Sequence, residues 1–433
     1  MKKGLSSRHL WLVNLFCLFH AFLLVGATVL LINIPFLHPS ALDIAKYNTR
    51  FKTLLDTYLF KNDTTSLPYN FAFVDVAWSK KLVPKYDSLG IQIGNKAITD
   101  RETLVNFFRL INSSSSKPKL ILCDIFFEEA TQYDSLLQKE FDQLDNLIIP
   151  IAIKEDQIIK PVVTSDFGLA TVLEHRGNFL KYRYIFSDTL RQLPLVGYEK
   201  IRSTKYKKAG SLLRSESGKY FFNNFIPTLR ISPFDLNHQN GNLLHLYIDE
   251  LLAVQDIAAT FLQDRIVIVG DFENLDRHQT LWGEMSGALI IANALLALEY
   301  QDNLISWLFL LFLFICYVLI TYFAILPKPW LKRRALMFRN RATVIYRQFQ
   351  IGFSKIIQIK KKKQSVPTTK RILRYKITSL LVTYITYALF LELVNLIAFF
   401  WLNIHLTPIF YLSTWFWLIE LASGWVRKHY SIS

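Results

Sequence analysis

The chain reads as an α/β extracytoplasmic domain, a mainly parallel sheet with crossover helices, together with four transmembrane α-helices. Three observations predict this. Between residues 35 and 302, short apolar runs broken by single Asp residues alternate with segments of helical spacing. Four longer apolar stretches, one before this region and three after it, are each long enough to cross hydrocarbon, which takes ~20 residues. The net charge of +16 is confined to one place: Lys328–Lys376 holds sixteen Lys or Arg and no Asp or Glu. The remaining chain is balanced.

Residues 1–9 (MKKGLSSRH) are short and basic, and residues 10–34 form the first span. This apolar run is longer than the core of a signal peptide and lacks a small-x-small site at its end, so an uncleaved anchor is expected. In the domain that follows, Asn70–Trp78 (NFAFVDVAW), Lys119–Glu128 (KLILCDIFFE), Leu147–Ile153 and Arg265–Asp271 are strand-like. Asp100–Ile111 has helical spacing with Asp100 as a cap, and Thr131–Leu144 is the next expected helix. Gly177–Phe186 and Lys219–Asn223 alternate like antiparallel strands. Asp188–Gly218, basic and rich in Ser and Gly, is expected to be a surface insertion. Arg265–Tyr300 concentrates the pattern. A strand buried on both faces (RIVIVGDF) leads through a polar loop to an apolar helix (SGALIIANALLALEY) that runs straight into the next span.

Residues 303–326, 377–402 and 404–425 are the remaining spans, the last two joined too tightly to be anything but a hairpin. The basic segments 1–9, 327–376 and 426–433 belong in the cytoplasm by the positive-inside rule, which leaves 35–302 outside.

In a parallel sheet the ligand crevice lies beyond the carboxyl ends of the strands. Asp124, Glu128, Asp271, Asp276 and His278 fall near that edge, with Asp75 deeper in its strand, and these six are the candidate ligand-binding residues. The competing reading is that such carboxylates cap helices and fix loops. No G-x-S-x-G elbow, P-loop or H-E-x-x-H is present, so no catalytic residue, metal site or cofactor is expected. Cys17 and Cys316 lie in spans and Cys123 in a strand, without disulfide or zinc spacing.

In the basic segment, Leu331, Ala335, Phe338, Ala342, Ile345, Phe349, Phe353 and Ile356 trace one apolar helical stripe. Lys332, Arg333, Arg339, Arg341 and Arg347 flank it, and Lys360, Lys361, Lys362 and Lys363 extend the positive patch. Such a helix suits the anionic inner leaflet, or an acidic cytoplasmic partner. Basicity confined to one juxtamembrane segment argues against nucleic acid. Glu392 and Glu420 lie within spans, where an ionised carboxylate costs roughly 2.5–3.5 kcal/mol and so seeks a partner. At about 1.5 Å per residue Glu392 sits near mid-membrane and Glu420 close to the inner surface, too far apart to pair. A polar group of another span, such as His20, or of another subunit in a homo-oligomer, is the candidate partner for Glu392; without a nearby base the carboxyl is expected to be protonated and packed.

The pieces FVDVAW, ILCDIFFEE, FIPTLRISPFDL, RIVIVGDF…D-x-H-x-T and SGALIIANALLAL, in this order and with this span pattern, resemble the CHASE2 domain proteins. These are bacterial extracellular sensors found at the input end of kinases and cyclases. The resemblance implies a receptor of the bacterial cytoplasmic membrane, with Asp75, Asp124, Asp271 and His278 at recurrent strand-end positions. Only eight residues follow Trp425, so the output is expected from a separate cytoplasmic protein. The alternative is a structural docking subunit of an envelope complex, and the third reading is an extracytoplasmic enzyme.

Overall fold

Runs of β-branched and aromatic residues that alternate with helices fold here into a parallel sheet. The computed structural model describes residues 7–34, most of 44–51, 67–325 apart from a few short stretches, and 368–429. Its chain divides into two compact units: residues 28–310 with 395–408, and residues 1–27, 311–394 and 409–433.

The larger unit is built on a seven-stranded sheet. Its strands are β1 (Phe71–Asp75), β4 (Leu120–Cys123), β5 (Leu147–Lys154), β6 (Gln157–Ile159), β7 (Asp166–Leu169), β8 (Leu243–Tyr247) and β9 (Ile266–Gly270). β2 (Lys80–Tyr86) and β3 (Gln92–Thr99) pair with each other as a separate hairpin. The spatial order is β8-β1-β9-β4-β5, all parallel, with β7 joining β5 parallel and β6 joining it antiparallel. β9, the last strand of this sheet in chain order, is inserted between β1 and β4. Every residue of β1, β4 and β9 is buried, as strands covered on both faces must be.

The two-residue period of the strands sorts the core. Ala72, Val74, Ile121, Cys123, Leu147, Ile149, Val267 and Val269 face one layer, shared with α2 (Arg101–Ser113), α3 (Asp134–Phe141), α5 (Ile248–Ala253) and α6 (Gln255–Leu262). The opposite layer holds α4 (Leu193–Arg202) and α7 (Gly287–Glu299). Asp100 caps α2 as expected, its carboxylate accepting from the Glu102 amide and the Thr103 hydroxyl at 3.3 and 3.2 Å.

The segment expected as a surface insertion is instead part of this second layer. Pro194 opens α4 in its first turn, Ser203 closes it in the left-handed conformation (φ 49°), and Leu193, Leu195, Gly197 and Tyr198 are buried. A Cβ on Gly197 would lie 2.9 Å from Leu122, so the helix sits directly on β4. The Lys-, Arg- and Ser-rich stretches on either side mask this short apolar run in the composition. Beyond α4, Tyr206–Ala209, Leu212–Ser215 and Tyr220–Phe222 form a small antiparallel sheet. The polar loop expected between β9 and α7 also contains regular structure: β10 (Arg277–Thr280) and β11 (Gly283–Ser286) pair as a hairpin.

Among the described residues, three helices are long and apolar enough to cross a membrane: Trp11–Ile32, Trp307–Ile325 and Leu380–Leu402. They belong to α1 (Ser7–Ile32), α8 (Trp307–Ile325) and α9 (Thr368–Leu402). The fourth expected span is a helix, α10 (Ile409–His429), which carries Ser413, Thr414, Glu420 and Ser423 and is not one of these three. In the smaller unit, His20 Nδ1 bonds Thr321 Oγ1 at 2.8 Å and its Nε2 accepts from Trp415 Nε1 at 2.9 Å. Both ring nitrogens are thus engaged, and His20 is not the partner of Glu392, which is half-buried on α9. Glu420 accepts from the Tyr387 hydroxyl. Lys332, Arg333, Arg339, Arg341, Arg347 and Lys360–Lys363 lie outside the described residues.

Candidate functional site

Register places three strand ends side by side. Asp75 is opposite Gly270, and Val269 is opposite Cys123, so Asp75, Asp271 and Asp124 leave the sheet at one edge. The Asp124 amide donates to Val269 O at 2.7 Å, which continues the ladder by one residue and aims the side chain off the sheet.

These carboxylates then take different roles. Asp75 is buried; its Oδ1 accepts from the amides of Ala77 and Phe272 at 2.8 and 3.2 Å, and its Oδ2 faces His245 Nε2 at 3.4 Å. It ties the loop after β1 to the loop after β9. Asp271 accepts from the Glu273 amide and pairs with Lys80 at 3.1 Å, anchoring the β2–β3 hairpin. Glu128 meets Lys96 of the same hairpin at 3.4 Å. Each of these three ties one loop or hairpin to another.

Asp124, Asp276 and His278 converge on a small cavity of about 50 Å³. Phe126, Thr171, Val172, Tyr182, Gly287 and Ile291 complete most of its wall. His278 Nε2 is 2.8 Å from Asp276 Oδ1. The Gly287 amide, at the first turn of α7, donates to Asp276 O at 2.9 Å, and a Cβ on Gly287 would run into the Asp276 carboxylate. Glycine here lets the acidic loop lie against the positive end of the helix. Burial pushes the Asp124 carboxyl well above the ordinary range; the Asp276 charge pushes the same way and His278 opposes it. Burial likewise raises the Tyr182 phenol, whose hydroxyl donates to Gln192 Oε1 at 3.1 Å. Among the described residues no three His, Cys, Asp or Glu side chains converge as a metal ion requires.

The cavity therefore sets two carboxyl groups, a histidine and one aromatic hydroxyl in a largely apolar wall. Sequence reasoning found its two carboxylates and its histidine. It missed Tyr182 and Thr171, which arrive from the region between β7 and α4, more than 40 residues along the chain from Asp124; the alternation of Gly177–Phe186 was the only local sign of that wall.

The helix α7 that floors the site is buried on all sides from Gly287 to Leu298, which explains its lack of a polar face. Ser286 caps it, accepting from Leu289 N at 3.3 Å. Asn293, fully buried, clamps the loop Arg230–Ile231: its Oδ1 accepts from both amides at 2.6 and 2.9 Å, and its Nδ2 donates to Ile231 O at 2.8 Å. Arg230 in turn forms a two-pronged pair with buried Asp302, just beyond the helix.

A family model for the CHASE2 domain matches residues 85–325, more than half the chain, from the β2–β3 hairpin through the end of α8. The chain belongs to the CHASE2 domain family, a family of extracellular sensory domains. No curated protein and no solved structure matches it significantly. With three helices of membrane-spanning length and apolarity among the described residues, it is a membrane protein carrying a sensory domain.

Proposed function

We propose that this chain is a membrane-anchored extracytoplasmic sensor that detects a ligand or partner at the Asp124–Asp276–His278 cavity and signals through a separate cytoplasmic protein. The observation that carries this reading is the position of the cavity: it opens where the strands end, against the first turn of α7, and the chain leaving α7 at Glu299 starts α8 at Trp307. Its acceptors suit a small group that donates hydrogen bonds or carries positive charge.

The topology in this proposal has four spans, at 10–34, 303–326, 377–402 and 404–425, in the bacterial cytoplasmic membrane. Residues 35–302 lie outside, and 1–9, 327–376 and 426–433 lie inside. α10 closes the topology despite its polar residues, because Glu420 is satisfied by Tyr387. The basic segment 327–376 lies on the anionic inner leaflet and is the surface a cytoplasmic partner reads. No catalytic role is proposed.

One observation favours a second reading, a docking subunit of an envelope complex. The β2–β3 hairpin stands apart from the main sheet and exposes Leu82, Leu89, Ile91 and Ile93 by 67, 81, 60 and 57%. Such an apolar patch suits a protein partner. Crosslinking and affinity capture from membranes separate the two, comparing the native chain with one whose Lys360–Lys363 are changed to Gln. A cytoplasmic kinase, cyclase or regulator captured by the native chain and lost on neutralisation supports the sensor. Capture of envelope proteins alone, indifferent to those charges, overturns it in favour of the docking subunit.

A further inference from the structure

The six residues Tyr220–Phe225 touch three things that a sensor must connect. The first is the end of the first membrane helix. Asn33, directly after α1, accepts through Oδ1 from the Asn223 and Asn224 amides at 3.1 and 3.4 Å, and its carbonyl accepts from Asn224 Nδ2 at 3.1 Å. The same chain end is held by Lys181, buried, whose Nζ donates to Ile32 O and Ile34 O at 2.5 and 2.8 Å.

The second is the start of the next membrane helix. The Phe222 amide donates to Asn303 O at 2.8 Å, Asn303 Nδ2 returns to Phe222 O at 2.8 Å, and the Ile305 amide donates to Tyr220 O at 2.9 Å. Phe221 and Leu304 form the antiparallel bridge between them, and the ring of Phe222 meets that of Phe309, in the first turn of α8, edge to face at 6.1 Å.

The third is the cavity. Tyr182, in its wall, pairs antiparallel with Phe225, and Arg183 pairs with Asn224. The Tyr184 amide donates to Asn223 O at 3.1 Å, and the Asn223 side chain bonds both the amide and the carbonyl of Ile185 at 2.8 Å.

Asn33, Asn223, Asn224 and Asn303 are all buried. Hydrogen bonds in such a place are costly to leave unmade, so the links do not yield one at a time. We infer that Tyr220–Phe225, two short strands joined at Asn223, is the transmission segment of the sensor, and that it moves the end of the first span and the start of the second together. A change in the cavity wall at Tyr182 is passed to both helices through one backbone. The alternative, a signal carried by α7 into the second span alone, would leave the first span unmoved.

The inference rests on the sensor reading, but its test needs no ligand. The full-length protein in lipid nanodiscs is followed by amide hydrogen exchange, with slow exchange in β1 and β9 as the check that the fold is intact. Asn303→Ala, which acts at the second span, should speed exchange of residues 33–34 at least tenfold. Asn33→Ala should do the same at residues 303–305. Filling the cavity with Val172→Trp should shift both segments together, and adding Asn223→Ala should remove the shift from both while leaving that at Thr171 and Tyr182. Exchange at 33–34 that ignores Asn303→Ala, or a Val172→Trp effect confined to 303–305, overturns the inference. Intact coupling with no ligand ever found at the cavity would count against the ligand reading alone.

Discussion

Gly287 and Asp276 are the pair on which the site geometry is most exposed to a single substitution. A methyl group at Gly287 has nowhere to go but the space of the Asp276 carboxylate. Gly287→Ala should therefore push Asp276 off His278 and cost about 1–3 kcal/mol, the usual range for overpacking, read as a lower unfolding midpoint. Asp124 carries a different signature. The unfolded chain gives up this proton near the ordinary value of about 3.9, whereas the folded protein, with the carboxyl buried, gives it up at higher pH. Between those two points the native state holds more protons, so this group's contribution to stability is present at low pH and falls as pH rises. Asp124→Asn should flatten that decline: the loss of midpoint temperature between pH 4 and pH 8 should be smaller in the variant. An equal loss would show that the carboxyl ionises in the native state as it does in the unfolded chain, and a steeper one that folding eases its ionisation; either overturns the expectation.

At the scale of elements, two helices were accessible from local chemistry to different degrees. The α2 cap was legible because Asp100 and the amide it binds are two residues apart; Asp100→Ala should cost about 1 kcal/mol by denaturant unfolding. The run Ser286–Tyr300 was legible as a buried helix from its apolarity, and it runs from Gly287 to Glu299 with Ser286 as cap. What its sequence did not reveal is the job of Asn293, because the partners, Arg230 and Ile231, lie over sixty residues away. Asn293→Ala strands two amides and a carbonyl in the core, and with about 1–3 kcal/mol for each buried group left unsatisfied it should destabilise far more than Asp100→Ala. The same variant should loosen Arg230 from Asp302, seen as faster exchange at 301–303. Helix α4 was misread for the opposite reason: its apolar run is short, and polar neighbours outweigh it until the sheet supplies a surface to cover.

For the whole molecule, the prediction is one of sidedness. A cysteine at Glu216, exposed on the small antiparallel sheet, should react with a membrane-impermeant maleimide in intact cells, and one at Lys360 only after permeabilisation. Labelling of both from outside would contradict the four-span topology. Here the sequence by itself determined a great deal. The parallel order of apolar runs, the three longest spans and the confinement of the positive charge are set by composition and period over short windows, where burial and backbone geometry act locally. The same holds for the strand-end placement of Asp124 and Asp271, since a strand's last residue is a local fact. Only the tertiary structure decided that Asp124 joins Asp276 and His278 while Asp75, Asp271 and Glu128 hold loops. It also decided that Tyr182 closes the cavity, and that one short segment, Tyr220–Phe225, grips Asn33 and Asn303 across 270 residues of chain. Those pairings are selected by which polar groups must be satisfied once the sheet and helices have closed around them, and that condition does not exist until the chain has folded.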